Sequence, residues 1–299
     1  MVRKFGRQNG LQRYHCRAGN HYFQSKRGSD DGPSGLWRSY IFKRQTVGDL
    51  AEATGLSTRQ VRRRLEAAAI PKTQPIDASE PTVVIMDTTY FGNFGVMVFR
   101  CPHRRRNLLW RFVRHETNEA YLAGVGELEA RGFRIVGAVC DGKRWLCDAL
   151  SRRFPTQHCQ FHLMKTVTRY LTSRPVLLPG IALRAISMTI ARTDERTFTA
   201  ALNAWHGRWK DFLKEKSADP WSGRWHYVHR RIRGAYAAIK RALPYLFTCE
   251  HYREFQIPNT TNSLDGIFTH LKQKIRVHRG LNEGSVKKMI ETILAEPSN

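Results

Sequence analysis

Three short apolar runs, TVVIMD (82–87), FGVMVFR (94–100) and LLWRFVR (108–114), follow one another across short polar turns. Runs of this length, rich in β-branched and aromatic residues, read as strands, and short turns join antiparallel neighbours. They predict an antiparallel meander. Residues 117–131 then switch to helical spacing, with Thr117 and Asn118 as caps. A strand RIVGAVCD (134–141) follows, then a helix from about 143 to 153, a short strand around QHCQ (157–160), and a helix from near Phe161 to about Tyr170. The order is three strands, helix, strand, helix, strand, helix. It specifies an α/β class: a mixed sheet with helices packed on it.

The flanks differ in composition. Residues 1–35 are polar and rich in Gly, Arg and Ser, with SKRGSDDGPSG as a loop, and residues 36–70 read as helical. PKTQPIDASEP (71–81) places three prolines in eleven positions, which marks a linker. Residues 82–174 form the first part of the α/β core. Residues 175–255 hold few strand-like runs, and Phe198, Leu202, Trp205 and Trp209 recur at helical spacing. This stretch is expected to be an all-helical insertion, with Trp205, Trp209, Trp221 and Trp225 in its core rather than stacked on bases. Residues 256–299 supply closing helices.

Lys and Arg number 50 against 25 Asp and Glu, a net charge of +25, while 41% of residues are hydrophobic. That much apolar material excludes a disordered basic tail. A folded chain so cationic suits a polyanionic partner, nucleic acid first; a merely basic enzyme or a ribosome-associated protein is the plainer alternative. No apolar run is long enough to span a membrane, and MVRKFGRQNG lacks the apolar stretch of a signal peptide. Six scattered cysteines fit a reducing cytoplasm.

Residues 46–66, TVGDLAEATGLSTRQVRRRLE, read as two helices around a tight turn. Val47, Leu50 and Ala51 make one apolar stripe. Gly55 sits where the turn needs positive φ, and Ser57 caps the second helix. Val61 and Leu65 face the first helix, which leaves Arg59, Gln60, Arg62 and Arg63 exposed. An Arg-rich second helix is suited to the major groove; a helical hairpin with a solvated basic face is the other reading. Upstream, RYHCRAGNHYFQ (13–24) resembles the second half of a zinc ribbon with Gly19 at a ligand position. Cys16, His15 and His21 are too few for a convincing site, and zinc is not expected.

In so basic a chain, acids at strand ends stand out. Asp87 ends TVVIMD and Asp141 ends RIVGAVC. Either alone is equally a turn cap. Two on neighbouring strands can share a divalent cation, which takes hard oxygen ligands. In IPNTTNSLDGIFTHLKQKIRVHRGL (257–281), Thr261 or Asn262 would cap a helix whose stripe is Leu264, Phe268, Leu271 and Ile275. Asp265 lies off that stripe, with Lys272 and Arg276 beyond it. The alternative for Asp265 is an acid favoured by the helix dipole.

Taken together, MDTTYFG around Asp87, VCDGKRWL around Asp141, CQFH with Cys159 and His162, and TTNSLDGIFTHLK around Asp265 resemble a DDE-type bacterial insertion-sequence transposase of the Mutator-like superfamily. The 124 positions from Asp141 to Asp265 leave room for the insertion. Two departures stand: Asp265 occupies a position where the superfamily usually has Glu, and the zinc ribbon is incomplete. The resemblance implies an RNase H-like core preceded by a small helix-turn-helix domain. It implies Asp87, Asp141 and Asp265 as catalytic ligands of two Mg²⁺ or Mn²⁺ ions, with Cys159 and His162 as active-site support. Without it, those two are packing residues. Lys143, Arg144, Lys272 and Arg276 become phosphate contacts, solvated basic surface being the other reading. The implied partners are terminal inverted repeats and target DNA, bound by a homo-oligomer associated with the bacterial nucleoid. A catalytically inactive DNA-binding regulator and an RNase H-like nuclease without strand transfer are the competing functions.

Overall fold

The structure, a computed structural model, describes residues 2–8, 11–24, 32–71, 75–142, 145–278 and 280–296. Two compact units form: Met1–Lys72 with Leu271–Ile293, and Thr73–His270 with Leu294–Asn299. No helix among the described residues is long and apolar enough to cross a membrane.

The first unit opens with strands that the composition did not announce. β1 (Val2–Gln8), β2 (Leu11–Cys16) and β3 (His21–Gln24) pair antiparallel in that order. Cross-strand aromatic contacts hold them, Phe5 with Tyr22 at 4.8 Å and Tyr14 with Phe23 at 5.6 Å between ring centroids. A Cβ on Gly19 would lie 2.8 Å from His21 Nδ1 and 3.9 Å from Cys16 Sγ, so a side chain there would face both. Most of the expected SKRGSDDGPSG loop lies outside the described residues, and its last four positions are already helical.

Three helices follow: α1 (Gly32–Phe42), α2 (Val47–Thr54) and α3 (Thr58–Ala67). The turn between α2 and α3 works as its sequence demands. Gly55 takes φ +68°, and Ser57 caps α3 by accepting from the Gln60 amide. Reciprocally, the Ser57 amide donates to Gln60 Oε1 at 3.0 Å. Leu50, Val61 and Leu65 are buried with Trp37, Tyr40 and Ile41.

The second unit has an α/β fold built on a mixed five-stranded sheet. β4 (Thr82–Phe91), β5 (Phe94–Cys101) and β6 (Arg106–Val113) form the meander. α4 (Asn118–Ala130), capped by Thr117, leads to β7 (Ile135–Cys140). α5 (Leu146–Ser151), β8 (Thr156–His158) and α6 (Gln160–Leu171) complete the series. The sheet order is β6-β5-β4-β7-β8, antiparallel across the meander and parallel from β4 through β8. β4 and β5 are buried on both faces, which is why they read as continuous apolar runs rather than as alternation. Gly124 lets α4 lie directly on the Phe99 ring, since a Cβ there would come within 2.1 Å of it.

The insertion is not all-helical. α7 (Leu178–Thr189), α8 (Glu195–Trp209), α9 (Arg230–Ala242) and α10 (Thr248–His251) surround an antiparallel hairpin, β9 (Lys216–Ala218) with β10 (Trp225–Tyr227). Pro220 and Gly223 between them break helical continuity, and Trp225 and Tyr227 favour extended backbone. Nor do all four tryptophans fill its core. Trp205 is buried and donates to the Pro179 carbonyl, and Trp209 is half-buried, but Trp221 and Trp225 are exposed.

α11 (Asn262–Val277) passes from the second unit into the first, where α12 (Glu283–Ala295) follows it. The unit boundary therefore falls inside the closing segment expected at 256–299. In the first unit, Lys288 Nζ donates to the Leu65 and Glu66 carbonyls at the negative end of α3. Trp37 Nε1 donates to Thr292 Oγ1 at 2.9 Å.

Candidate active site

Asp87 does not end its strand. Thr88, Thr89 and Tyr90 continue β4 by pairing with Met97, Val96 and Gly95. On its other side β4 runs beside β7 with Ile85 opposite Val139. Two residues further along each chain stand Asp87 and Asp141, level with each other where β7 stops. Side chains alternate along a strand, so Asp87 shares a face with Ile85 and Val83, opposite Met86.

Asp141 depends on the glycine after it. Gly142 takes φ +76°, and a Cβ there would lie 1.8 Å from His158 Nε2. His158 is buried at the end of β8, and burial holds its imidazole down at about 4, neutral at ordinary pH. Its Nδ1 lies 3.1 Å from the Cys159 carbonyl oxygen.

Asp265 arrives on the first turn of α11, and that turn is tied down at three points. Arg100, buried in β5, donates through Nε to Ser263 Oγ at 2.7 Å and through Nη1 to Asn107 at 3.0 Å. Asn259 accepts from the Gln160 amide through its carbonyl and donates to Gln160 Oε1 through Nδ2. Thr261 donates its amide and its hydroxyl to Cys159 Sγ, both at 3.4 Å. Thr261 holds the cap position expected of it, its carbonyl accepting from the Asp265 amide, and its hydroxyl also bridges to the start of α6. Cys159 is itself held by its amide, which donates to the Cys140 carbonyl beside Asp141.

The CQFH pair is therefore part of the site. Burial would raise the Cys159 thiol, but hydrogen bonds from His162 and Thr261 outweigh it and hold it below the usual thiol value. His162 is raised to about 9, first by its hydrogen bond to Cys159 and then by Asp87 and Asp141. Its Nε2 stands 3.9 Å from Asp87 Oδ2. Asp87 is only 7% exposed. Burial lifts its carboxyl to about 7, with Asp141 and Asp265 adding and His162 opposing.

Two groups of possible ligand atoms result, each within 4.8 Å of one another: Asp87 with His162 and Asp265, and Asp87 with Glu116 and Asp141. Asp87 belongs to both. Glu116 escaped the sequence reading, which took Thr117 and Asn118 as caps and passed over the acid before them. Its signal was its place three residues beyond β6, whose direction matches β4 and β7. Thr88 donates to the Tyr121 hydroxyl at 2.9 Å, Tyr121 donates to Glu116 Oε1 at 2.6 Å, and the Glu116 amide donates to Tyr90 at 2.9 Å.

The donor set fits a hard divalent cation. It is rich in carboxylates, and Asp265 Oδ2 is buried without a hydrogen-bond partner among the described residues. Leaving a carboxylate oxygen so costs stability, and a cation would satisfy it.

Lys272 and Arg276 are exposed on the part of α11 that belongs to the first unit. Arg59, Arg62 and Arg63 are exposed on α3, while Gln60 is engaged with Ser57. Lys143 and Arg144 lie outside the described residues.

No protein-family model and no curated protein matches this chain. Among solved structures, it is similar to a chain in the cryoEM structure of the simian T-cell lymphotropic virus intasome in complex with PP2A regulatory subunit B56 gamma. Identity is 12%, over 63% of this chain and 72% of that chain, with a TM-score of 0.23. A likeness at that score carries no argument about activity.

Proposed function

We propose that the chain is a metal-dependent DNA transposase. Its RNase H-like core would use Asp87, Asp141 and Asp265 to cleave DNA at terminal inverted repeats and join the freed end to target DNA. The observation that carries this reading is Asp87: a buried acid, level with Asp141, common to two groups of metal-binding side chains. The strand order β6-β5-β4-β7-β8 and the ordered motifs around the three acids add support.

Two Mg²⁺ or Mn²⁺ ions would be held by Asp87 in common, with Asp141 and Glu116 on one side and Asp265 and His162 on the other. When bound, such ions supply Lewis-acid activation of water and stabilisation of the leaving oxygen. The chain's residues set the stage for them. The Thr88 amide donates to Asp87 Oδ1 at 2.8 Å, fixing the carboxylate's rotation. Protonated His162 balances the acids while no cation is present. Cys159, Thr261 and Arg100 hold the first turn of α11, so that Asp265 keeps its distance from Asp87. In the reaction, water attacks the phosphorus and the bond to the 3′ oxygen breaks. The freed 3′-OH then attacks a target phosphorus and displaces its 3′ oxygen. DNA supplies the second nucleophile, so no Ser or Tyr is assigned. α2–α3 serves as a helix-turn-helix, with Arg59, Arg62 and Arg63 on the repeats, and Lys143, Arg144, Lys272 and Arg276 on phosphates. A homo-oligomer would bring two DNA ends together.

The test incubates the chain with Mg²⁺ or Mn²⁺ and DNA carrying the inverted repeats that flank its gene. Asp87→Ala, Asp141→Ala and Asp265→Ala are expected to lose cleavage by about a thousandfold or more. Equal cleavage by all four proteins removes the carboxylate assignment, and failure of every one to bind the repeats removes the assignment of α2–α3.

A further inference from the structure

α7 (Leu178–Thr189) is apolar on its outer side as well as its inner one. The inner side is fixed in the insertion: Leu183 and Ser187 are buried, and Trp205 Nε1 donates to the Pro179 carbonyl at 2.9 Å. Gly180 brings the first turn against Ile232, since a Cβ there would lie 3.6 Å from that side chain. The outer side of such a helix is ordinarily charged or polar, and its neighbours obey. α6 exposes Lys165 and Arg169, α8 exposes Arg196 and Arg208, and α9 exposes Arg230, Lys240 and Arg241. α7 instead exposes Leu178, Ile181, Ala185 and Met188, and Val176 and Leu177 extend the patch just before it. Leu178 is 68% exposed and Val176 89%.

Leu178, Ile181, Ala185 and Met188 are spaced three, four and three apart, the pattern of a seam that packs against another helix. The stripe is also symmetric about the level of Leu183. Leu178 and Met188 stand five residues from it, Ile181 and Ala185 two. A second α7 laid antiparallel about a two-fold axis at that level sets Leu178 of one copy opposite Met188 of the other, and Ile181 opposite Ala185. Each pairing then occurs twice, as an isologous contact requires. Large side chains meet at the ends, and large meets small in the middle, where Ala185 leaves room for the facing Ile181.

We propose that the outer side of α7 pairs with α7 of a second copy as an antiparallel two-fold seam. Charge selects this face for that partner. Two chains of +25 repel over most of their surfaces. The stripe carries no charged side chain, and Arg184, the one charge within α7, is half-buried. A polyanion gains little from such a stripe, whereas two copies can touch there without setting cation on cation. A standard interface takes about 800 Å² from each partner, and one helix supplies less, so the pairing belongs to the weaker, concentration-dependent class. It would supply the two-copy assembly of the transposase reading, and that purpose rests on that reading. The pairing itself is measured without DNA or metal, so its failure and a failure of cleavage are separate outcomes.

The experiment is sedimentation equilibrium of the full chain in EDTA, without DNA. Wild type is expected to show a monomer–dimer equilibrium that strengthens as added salt screens the like charges. Ile181→Lys and Ala185→Glu should each weaken pairing by about tenfold or more. A mixture of these two variants should recover much of it, because position 181 of one copy faces position 185 of the other. Ile181→Lys mixed with Ile181→Glu should recover less. Circular dichroism checks the fold, which these exposed side chains scarcely support. A wild type that stays monomeric leaves the stripe to some other protein and overturns the proposal, as do variants that pair as well as wild type. Pairing that weakens with salt, or that the 181 and 181 mixture recovers better, overturns the antiparallel seam.

Discussion

Asp87 is buried beside other acids, whereas Arg59, Arg62 and Arg63 stand in open solvent on α3. The two regions handle charge in opposite ways. At the sheet edge, burial and crowding push a carboxyl up to about 7 and leave an oxygen of Asp265 without a partner. The first turn of α11 and the start of α6 are fastened there through Arg100, Thr261 and Cys159. On α3 the exposed guanidiniums keep their hydration, and the helix is held by its apolar side, its N-cap and the Lys288 ammonium on its last carbonyls. The first arrangement stores an electrostatic cost that a small cation can relieve. The second costs little and gains only when a large anion is laid against it. The two should therefore respond differently to the same kind of perturbation.

The largest contrast is expected from glycine. Gly142 and Gly55 both have positive φ, +76° and +68°, but a Cβ on Gly142 collides with His158 while one on Gly55 meets nothing within 4 Å. Gly55→Ala should cost only the backbone term, about 1–2 kcal/mol. Gly142→Ala should cost about 3 kcal/mol or more in chemical denaturation and carry metal-dependent activity down with it. Adding His158→Ala should return part of the loss, because the overlap is with that ring. Equal costs at the two glycines would mean that the sheet edge is no more tightly built than the turn.

A smaller effect follows from titration. His162 is raised above its unfolded value, so its contribution is complete below about 6.5 and is lost as pH rises through about 9. Asp87 is also raised, to about 7, so its contribution falls between its unfolded value and 7. Between pH 7 and 9 the Asp87 change is largely complete, and loss of the His162 proton should make cation-free protein melt at lower temperature as pH rises. Saturating Mg²⁺ should raise the melting temperature more at pH 9 than at pH 7, since deprotonated ligands bind it better. His162→Gln should flatten the cation-free profile. A slope between pH 7 and 9 that survives this substitution would move its origin away from His162.

What could be read from the sequence divides along similar physical lines. The meander was legible because β4 and β5 are buried on both faces and leave long apolar runs. Asp87 and Asp141 drew notice as acids ending apolar runs in a very basic chain, and Cys159, His162 and Asp265 because they keep the order of a resembling family. Glu116 was not, since it lies on an ordinary polar turn and reaches the site only through the direction of β6. The β9–β10 hairpin was missed because strands of three residues show no period. The exposure of Trp221 and Trp225 went with it: an indole in a helical context defaults to the core. Lys274 is the converse. It stands between Lys272 and Arg276, for which solvated surface was one reading, yet it is buried with its Nζ donating to the Phe42 carbonyl at 2.8 Å. A long aliphatic stem permits this, and nothing local announces it.

The smallest expected effect belongs to single arginines on α3, and it tests the other half of the contrast. Because these side chains are exposed and make no buried bonds, Arg62→Ala and Arg63→Ala should leave stability within about 0.5 kcal/mol. If they contact phosphate, each should weaken duplex binding about uniformly across sequences and lower the slope of log affinity against log salt by about 1. If one instead bonds a base edge, its loss should cost about 1–3 kcal/mol on repeat DNA and little on unrelated duplex. Gln60 serves as the control on the same helix. Gln60→Ala removes the reciprocal cap with Ser57 and should cost about 1 kcal/mol of stability, with the salt slope unchanged. A salt slope that falls for Gln60→Ala as much as for Arg62→Ala would mean that helix integrity, rather than exposed charge, governs DNA binding. The distinction between the fastened acids and the free arginines would then fail on the side of α3.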